Sequence, residues 1–284
     1  MIANAYLNEW RQVVPWTDDR MVEQDLIISR LLIELFSHPK IANSLAFRGG
    51  TSIYKLFISQ PVRYSEDIDL VQIKAEPIGE TIAAIRSIID PILGEPERKR
   101  SKKTFTLIYN IFPEGTSAPQ KLKIEINTRE HFSVFGLQKL SFSVKTRWFS
   151  GESKISTYEF DELLGTKIRA FYQRDKGRDL FDLWFALQQE IFDSKRAVAA
   201  FLEYTKKENK NITRAMFEIN FVEKLNSGSF NQDISPLLAP DIQWDFEKAA
   251  IEIYEKIIPL IPGKQWKGAN ANIVSETQDM VNLI

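Results

Sequence analysis

Cysteine is absent from this chain of 284 residues. That excludes disulfides, thiolate nucleophiles and cysteine-ligated zinc. Histidine is scarce: His38 and His131 are the only two, too few for a multi-histidine metal centre. His38 precedes Pro39 and reads as part of a helix-ending turn, and His131 reads as a loop residue. No apolar run reaches the roughly 20 residues that span a bilayer. The opening residues, MIANAYLNEWRQVV, lack the basic lead and apolar run of a signal peptide. The expectation is a cytoplasmic protein with no membrane contact. An excess of either charge is also missing, since 37 Lys and Arg face 38 Asp and Glu for a formal net charge of −1. Such a balance argues against coating nucleic acid by bulk charge and leaves room for a local basic surface.

What is present is the composition of a soluble globular protein, 44% hydrophobic and 26% charged, at a length that allows two domains with their own cores. The most informative stretch is 47–70, FRGGTSIYKLFISQPVRYSEDIDL. Leu45, Ala46 and Phe47 form a short apolar run, Gly49 and Gly50 a turn, and Ile53, Leu56 and Phe57 a helix-spaced set. Strand, tight turn and helix start follow in that order. Backbone N–H groups at such a helix start can cradle phosphate oxygens, and Thr51 can add a hydroxyl donor. In Asp67-Ile68-Asp69-Leu70 the two carboxylates project from one face of a strand while Ile68 and Leu70 turn inward. Paired carboxylates repel, and a divalent cation relieves that.

A Gly-Gly turn followed by a paired-carboxylate strand and a third acidic strand residue resembles the signature of polymerase-beta type nucleotidyltransferases. The wording GGTSIYKLF…RYSEDIDL is most similar to the AbiEii/AbiGii toxins of bacterial toxin–antitoxin and phage-defence systems. The third acidic position falls in KLKIEINT, 121–128, where Leu122, Ile124 and Ile126 alternate with Lys123, Glu125 and Asn127. Many relatives carry Asp where this chain has Glu125. The extra methylene leaves two readings, a strand set slightly back or a glutamate that does not touch the metal directly.

The remaining pattern divides the chain. Helices are expected over 18–37, with Asp18 and Asp19 at its positive end, after Pro39, and over 80–93, ended by Pro91 and Gly94. Strands are expected over 104–112, 121–128 and 140–149, and 151–157 reads as a polar link. The basic run 98–103 reads either as a solvated edge-strand lead or as a phosphate contact. The fold class expected is α+β: a small mixed sheet with flanking helices over residues 1–150, then an all-α domain over 151–284.

That second domain opens with YEFDELLGTKIRAFYQRDKGRDLFDLWFAL, 158–187. On one straight helix Lys167 and Asp182 would lie about 22 Å apart. The polar Arg174-Asp175-Lys176-Gly177 turn between them suggests a helical hairpin that brings them together. Two readings of the pair remain: part of a nucleotide site, or a surface ion pair. Further helices are expected near 194–207, 212–225 and 243–259. The segment also resembles the family's downstream motif at Lys167, Arg178, Asp179 and Asp182.

The resemblance implies metal-dependent transfer of NMP from an NTP. Asp67 and Asp69, with or without Glu125, would hold Mg2+ or Mn2+. Gly49, Gly50, Thr51 and Ser65 would line the nucleotide, Lys167 would contact its triphosphate, and Asp182 would orient nucleotide or lysine. An RNA hydroxyl, such as a tRNA 3′ end, is the first expectation for the acceptor. Open alternatives are a protein hydroxyl, with Ser65 the closest internal candidate, and a catalytically dead nucleotide-binding module. An antitoxin is a further expected partner.

Overall fold

The computed structural model describes residues 2–113, 118–190, 192–228, 230 and 232–268. In chain order these form α1 (Asn4–Trp10), α2 (Asp19–Ser37), α3 (Pro39–Ser44), β1 (Leu45–Arg48), α4 (Gly49–Leu56), β2 (Ile68–Gln72), α5 (Gly79–Leu93) and β3 (Glu97–Arg100). Then come β4 (Thr104–Ile111), β5 (Gln120–Asn127), β6 (Leu137–Lys145) and β7 (Ser150–Tyr158). Among the described residues five α-helices follow: α6 (Phe160–Gln173), α7 (Gly177–Gln188), α8 (Ser194–Lys207), α9 (Arg214–Leu225) and α10 (Phe246–Lys256). Two compact units result, Met1–Glu159 with Leu238–Ile242, and Phe160–Leu237 with Gln243–Ile284. Among the described residues no helix is long and apolar enough to cross a membrane.

The first unit is built on a mixed seven-stranded sheet in the order β3-β4-β5-β2-β1-β7-β6. Strands β2 and β5 run parallel, as do β1 and β7, and the other neighbours are antiparallel. Helix α2 is the main support. Asp18 caps it by accepting a 2.9 Å bond from the Arg20 N–H, and Val22, Leu26, Ile28, Leu31, Leu32 and Leu35 are fully buried. Its Asp25 takes the Lys55 ammonium at 2.8 Å and the Trp10 indole N–H at 2.9 Å, tying α1 and α4 to α2. His38 joins α2 to α3, and His131 lies outside helix and strand with Nδ1 2.8 Å from the Gln72 carbonyl.

Three local expectations need correction. Residues 151–157 are not a polar link but the body of β7, and the units divide after Glu159 rather than near 150. Ser150, Glu152 and Lys154 are solvent-facing positions of a strand paired with β6, while Ile155–Tyr158 are buried. Its polar groups find partners there: the Thr157 hydroxyl donates to the Phe47 carbonyl at 2.8 Å. Pro91 does not end α5 but sits exposed inside its last turn, and the helix stops at Gly94. Gly177, placed above in the polar turn, is already the first residue of α7, while α6 ends at Gln173. The basic run 98–103 passes through β3, where all four residues are exposed on the sheet's edge. Charge on an open edge hinders pairing with another chain.

Among its described residues the second unit is built of helices around an aromatic core. Phe171 packs on Phe217, Phe221 and Phe230 with centroids 6.0, 5.7 and 6.0 Å away. Helices α6 and α8 cross tightly at Gly165. A Cβ there would lie 2.6 Å from the Ala197 carbonyl oxygen and 2.6 Å from the Ala200 methyl, so any larger residue would drive the helices apart.

Candidate nucleotide and metal site

The carboxylate strand β2 pairs with β1, and the turn that leaves β1 is a glycine that has no substitute. Gly49 links β1 to α4 at φ +81°, a conformation L side chains rarely adopt. A Cβ at this position would also stand 2.0 Å from Asp69 Oδ2. Asp69 thus rests directly against the start of α4, where backbone N–H groups lack intrahelical partners and the helix dipole favours negative charge. Arg48 provides no side-chain cap to α4, because its guanidinium pairs with Glu130. Gly50 is buried in the first turn of the same helix.

Thr51 takes a different part from the one its sequence position suggests. Its side chain is buried, and its hydroxyl donates to the Asp67 carbonyl at 2.6 Å. Its single proton is thereby used, so Ser65 is the donor in the 2.6 Å Thr51–Ser65 bond. Rather than offering a proton to phosphate, Thr51 braces the backbone that carries Asp67. A second brace comes from Gln24 in α2, whose amide donates to the Glu66 carbonyl at 2.7 Å and the Lys121 carbonyl at 3.3 Å. Gln24 is missed by motif reading. Its signal is a polar residue amid the apolar positions of α2, with 1% exposure.

Register places the acidic residues together. Across β2 and β5, Asp69 stands beside Glu125, and Asp67 immediately precedes β2 at the level of Lys123. The Lys123 ammonium is 3.7 Å from Asp67 Oδ2. Burial pushes the Asp67 carboxyl up to about 6; Lys123 opposes the rise, and Asp69, Glu66 and Glu125 add to it. At Asp67, then, burial and like charges outweigh the lysine. Among the described residues no three His, Asp or Glu side chains converge as a ready-made metal cage. The donor set still suits a hard cation, because Mg2+ in phosphoryl-transfer sites takes one or two carboxylates and completes its shell from water and substrate phosphates.

In the second unit the chain turns back at 174–176, and Lys167 and Asp182 meet at 2.7 Å. The pair is buried, with Lys167 6% and Asp182 1% exposed, so it is no surface ion pair. Asp179 completes it, one oxygen 3.1 Å from the Lys167 ammonium and both engaged by Arg174 at 2.6 and 2.7 Å. Burial works to raise the Asp179 carboxyl, but Lys167 and Arg174 outweigh it and hold it below the ordinary carboxylate range. Two cations and two anions balance here. Arg178, by contrast, points to Asp233, 4.0 Å away, and Asp233 caps α7 by accepting from the Gly177 N–H at 2.8 Å. Arg174 stands within the polar turn in the sequence, yet nothing in that pattern shows that it doubles back onto Asp179.

A sequence comparison with curated proteins finds no match. Among solved structures the chain is similar to MenT4, a nucleotidyltransferase toxin from Mycobacterium tuberculosis, at 15% identity and a TM-score of 0.61, covering 93% of this chain and 100% of that one. It is also similar to JHP933 from Helicobacter pylori, at 16% identity and a TM-score of 0.51, covering 94% and 98% of the two chains. A putative nucleotidyltransferase from H. pylori shares 16% identity with a TM-score of 0.51, over 86% of this chain and 95% of its own. At such identities the likeness is one of fold. The family model for the nucleotidyl transferase AbiEii toxin of type IV toxin–antitoxin systems matches residues 30–252, a span that holds both carboxylate clusters, and the chain belongs to that family of nucleotidyltransferase toxins.

Proposed function

We propose that the protein transfers a nucleoside monophosphate from an NTP to an RNA hydroxyl, with the 3′ end of tRNA as the leading acceptor, in a reaction that depends on Mg2+ or Mn2+. The observation that carries this reading is the adjacency of the Asp67, Asp69 and Glu125 carboxylates beside the Gly49 turn, with Asp67 buried among like charges. A divalent cation held there would neutralise the triphosphate and the charge that develops as the α-phosphorus is attacked. The chain's own residues supply placement. Asp69 fixes one ligand against the start of α4, where Gly49 leaves it room, Thr51 and Gln24 hold the segment bearing Asp67, and the backbone N–H groups of Gly49 and Gly50 would face the nucleotide. Lys167, oriented by Asp179 and Asp182, binds the triphosphate. The acceptor oxygen forms a bond to the α-phosphorus, the bond to the bridging oxygen breaks, and pyrophosphate departs while the hydroxyl proton is lost to solvent. A cognate antitoxin is the partner that restrains this activity in the cell.

Incubation of the full chain with each α-labelled NTP, Mg2+ and total cellular RNA and protein tests the proposal. Label should enter a small RNA fraction and require both Asp67 and Asp69. Label confined to protein would move the acceptor to a protein hydroxyl, Ser65 being the nearest within the chain. Nucleotide binding without product would make the protein a non-catalytic binding module.

A further inference from the structure

On the sheet face that carries the acidic residues, four side chains form a square. Lys123 and Glu125 project from the same side of β5, and Asp67 and Asp69 lie beside them on the neighbouring segment. One side of the square joins unlike charges and the other like charges. The next cation along the face, Arg48, stands opposite Asp69 in the register but pairs with Glu130. At 3.7 Å, Lys123 is too far from Asp67 for the 2.7–2.9 Å expected of a charge-assisted hydrogen bond. It is held by charge alone. Its side chain is 42% exposed, so its compact, hydrated ammonium can leave on a flexible stem at little cost.

We propose that Lys123 is the resident counter-ion of the carboxylate site: a divalent cation displaces it from Asp67, and the freed ammonium then binds the phosphates of the incoming nucleotide. The inference rests on the metal-dependent reading above. Cation and ammonium compete for one carboxylate, so the lysine should weaken metal binding to the nucleotide-free protein and strengthen binding of the nucleotide. A residue that merely filled space would do neither. A full positive charge at this range alters the affinity of a cation by roughly five- to tenfold under water-like screening.

The test measures Mn2+ binding to the full chain by electron paramagnetic resonance at about pH 8, above the pH range in which Asp67 of the wild type takes up its proton. Without nucleotide, Lys123→Met should bind Mn2+ roughly five- to tenfold more tightly than the wild type. With a non-hydrolysable NTP present, the same variant should bind the nucleotide several-fold more weakly. Lys123→Arg restores the charge and should return both affinities toward the wild type, which separates charge from packing. Unchanged or weaker Mn2+ binding in Lys123→Met overturns the counter-ion role, and unchanged nucleotide affinity overturns the second step. If Asp67→Ala loses Mn2+ while Lys123→Met matches the wild type, the metal site stands and the lysine's role falls. A wild-type protein that binds no Mn2+, with or without nucleotide, overturns both.

Discussion

The two units each hold a cluster of acids and bases, and the clusters are built on opposite terms. In the helical unit, Asp179 and Asp182 are matched by Lys167 and Arg174 at 2.6–3.1 Å, and both acids are almost completely buried. In the sheet unit, Asp67 has the Lys123 ammonium 3.7 Å away, beyond hydrogen-bond range, and Asp69 and Glu125 as neighbouring like charges, in a setting that solvent reaches. A matched buried cluster holds its members in one geometry, because removing any one strands a charge. An unmatched cluster stores repulsion that an arriving cation relieves. The first arrangement suits orientation, and the second suits binding.

The largest effect that follows concerns chemistry and leaves the fold alone. Asp69→Ala or Asp67→Ala should lower nucleotidyl transfer by at least about 10^3-fold, since charge stabilisation at the reacting phosphate is the main catalytic contribution. Their urea midpoints should match or slightly exceed the wild type because repulsion is removed. Transfer at wild-type rates in both variants would end the distinction between the clusters. The helical unit should answer in the opposite way. Asp179→Ala leaves Lys167 and Arg174 without their shared partner and should cost about 3–5 kcal/mol of stability, read from urea unfolding with the slope checked for two-state behaviour.

Gly49→Ala sharpens the comparison, because it strikes geometry rather than charge. The positive φ and the collision with Asp69 should together cost about 3 kcal/mol and displace the carboxylate, so activity and stability fall in one variant. The smallest effect is a pH dependence. The Asp67 carboxyl is pushed up from 3.8 to about 6 in the folded protein. The unfolded chain therefore gives up its proton first, and folding stability declines as the pH rises from about 4 through about 6. Allowing for partial exposure, the decline is about 2 kcal/mol. Asp67→Asn should flatten that part of the stability profile. A profile that stays the same in Asp67→Asn would assign the slope to another group.

How much of this could be read beforehand differs between the clusters for a physical reason. In the sheet, strand alternation places Asp67 with Asp69 and Lys123 with Glu125 in the string of letters, while the β2–β5 register that sets Asp69 beside Glu125 appears only in the fold. The hairpin is visible too, because the polar turn interrupts an apolar pattern that continues on both sides. What stays hidden is where a hydrogen bond or ion pair goes. Thr51 looks like a phosphate donor and instead holds the Asp67 carbonyl. Asp179 stands in the motif beside Asp182, yet only the folded turn shows Arg174 gripping it. Strand β7 escapes because half of it faces solvent, so its alternation of Ser, Glu and Lys reads as polar filler.

The short return of residues 238–242 to the first unit bears on the order in which the protein is made. Ala239 donates its N–H to the Val62 carbonyl at 2.9 Å, and Leu238 bridges to Arg63. During translation the sheet unit therefore remains unfinished long after its seven strands have left the ribosome, until about residue 242 emerges. Val62 and Arg63 belong to the same connection that leads into Asp67. A nascent chain that stops before that point lacks the Ala239–Val62 clasp on the segment leading to Asp67. Truncation after Glu159 should accordingly leave a sheet that is less stable than the same residues in the full chain, however well its helices and strands are chosen.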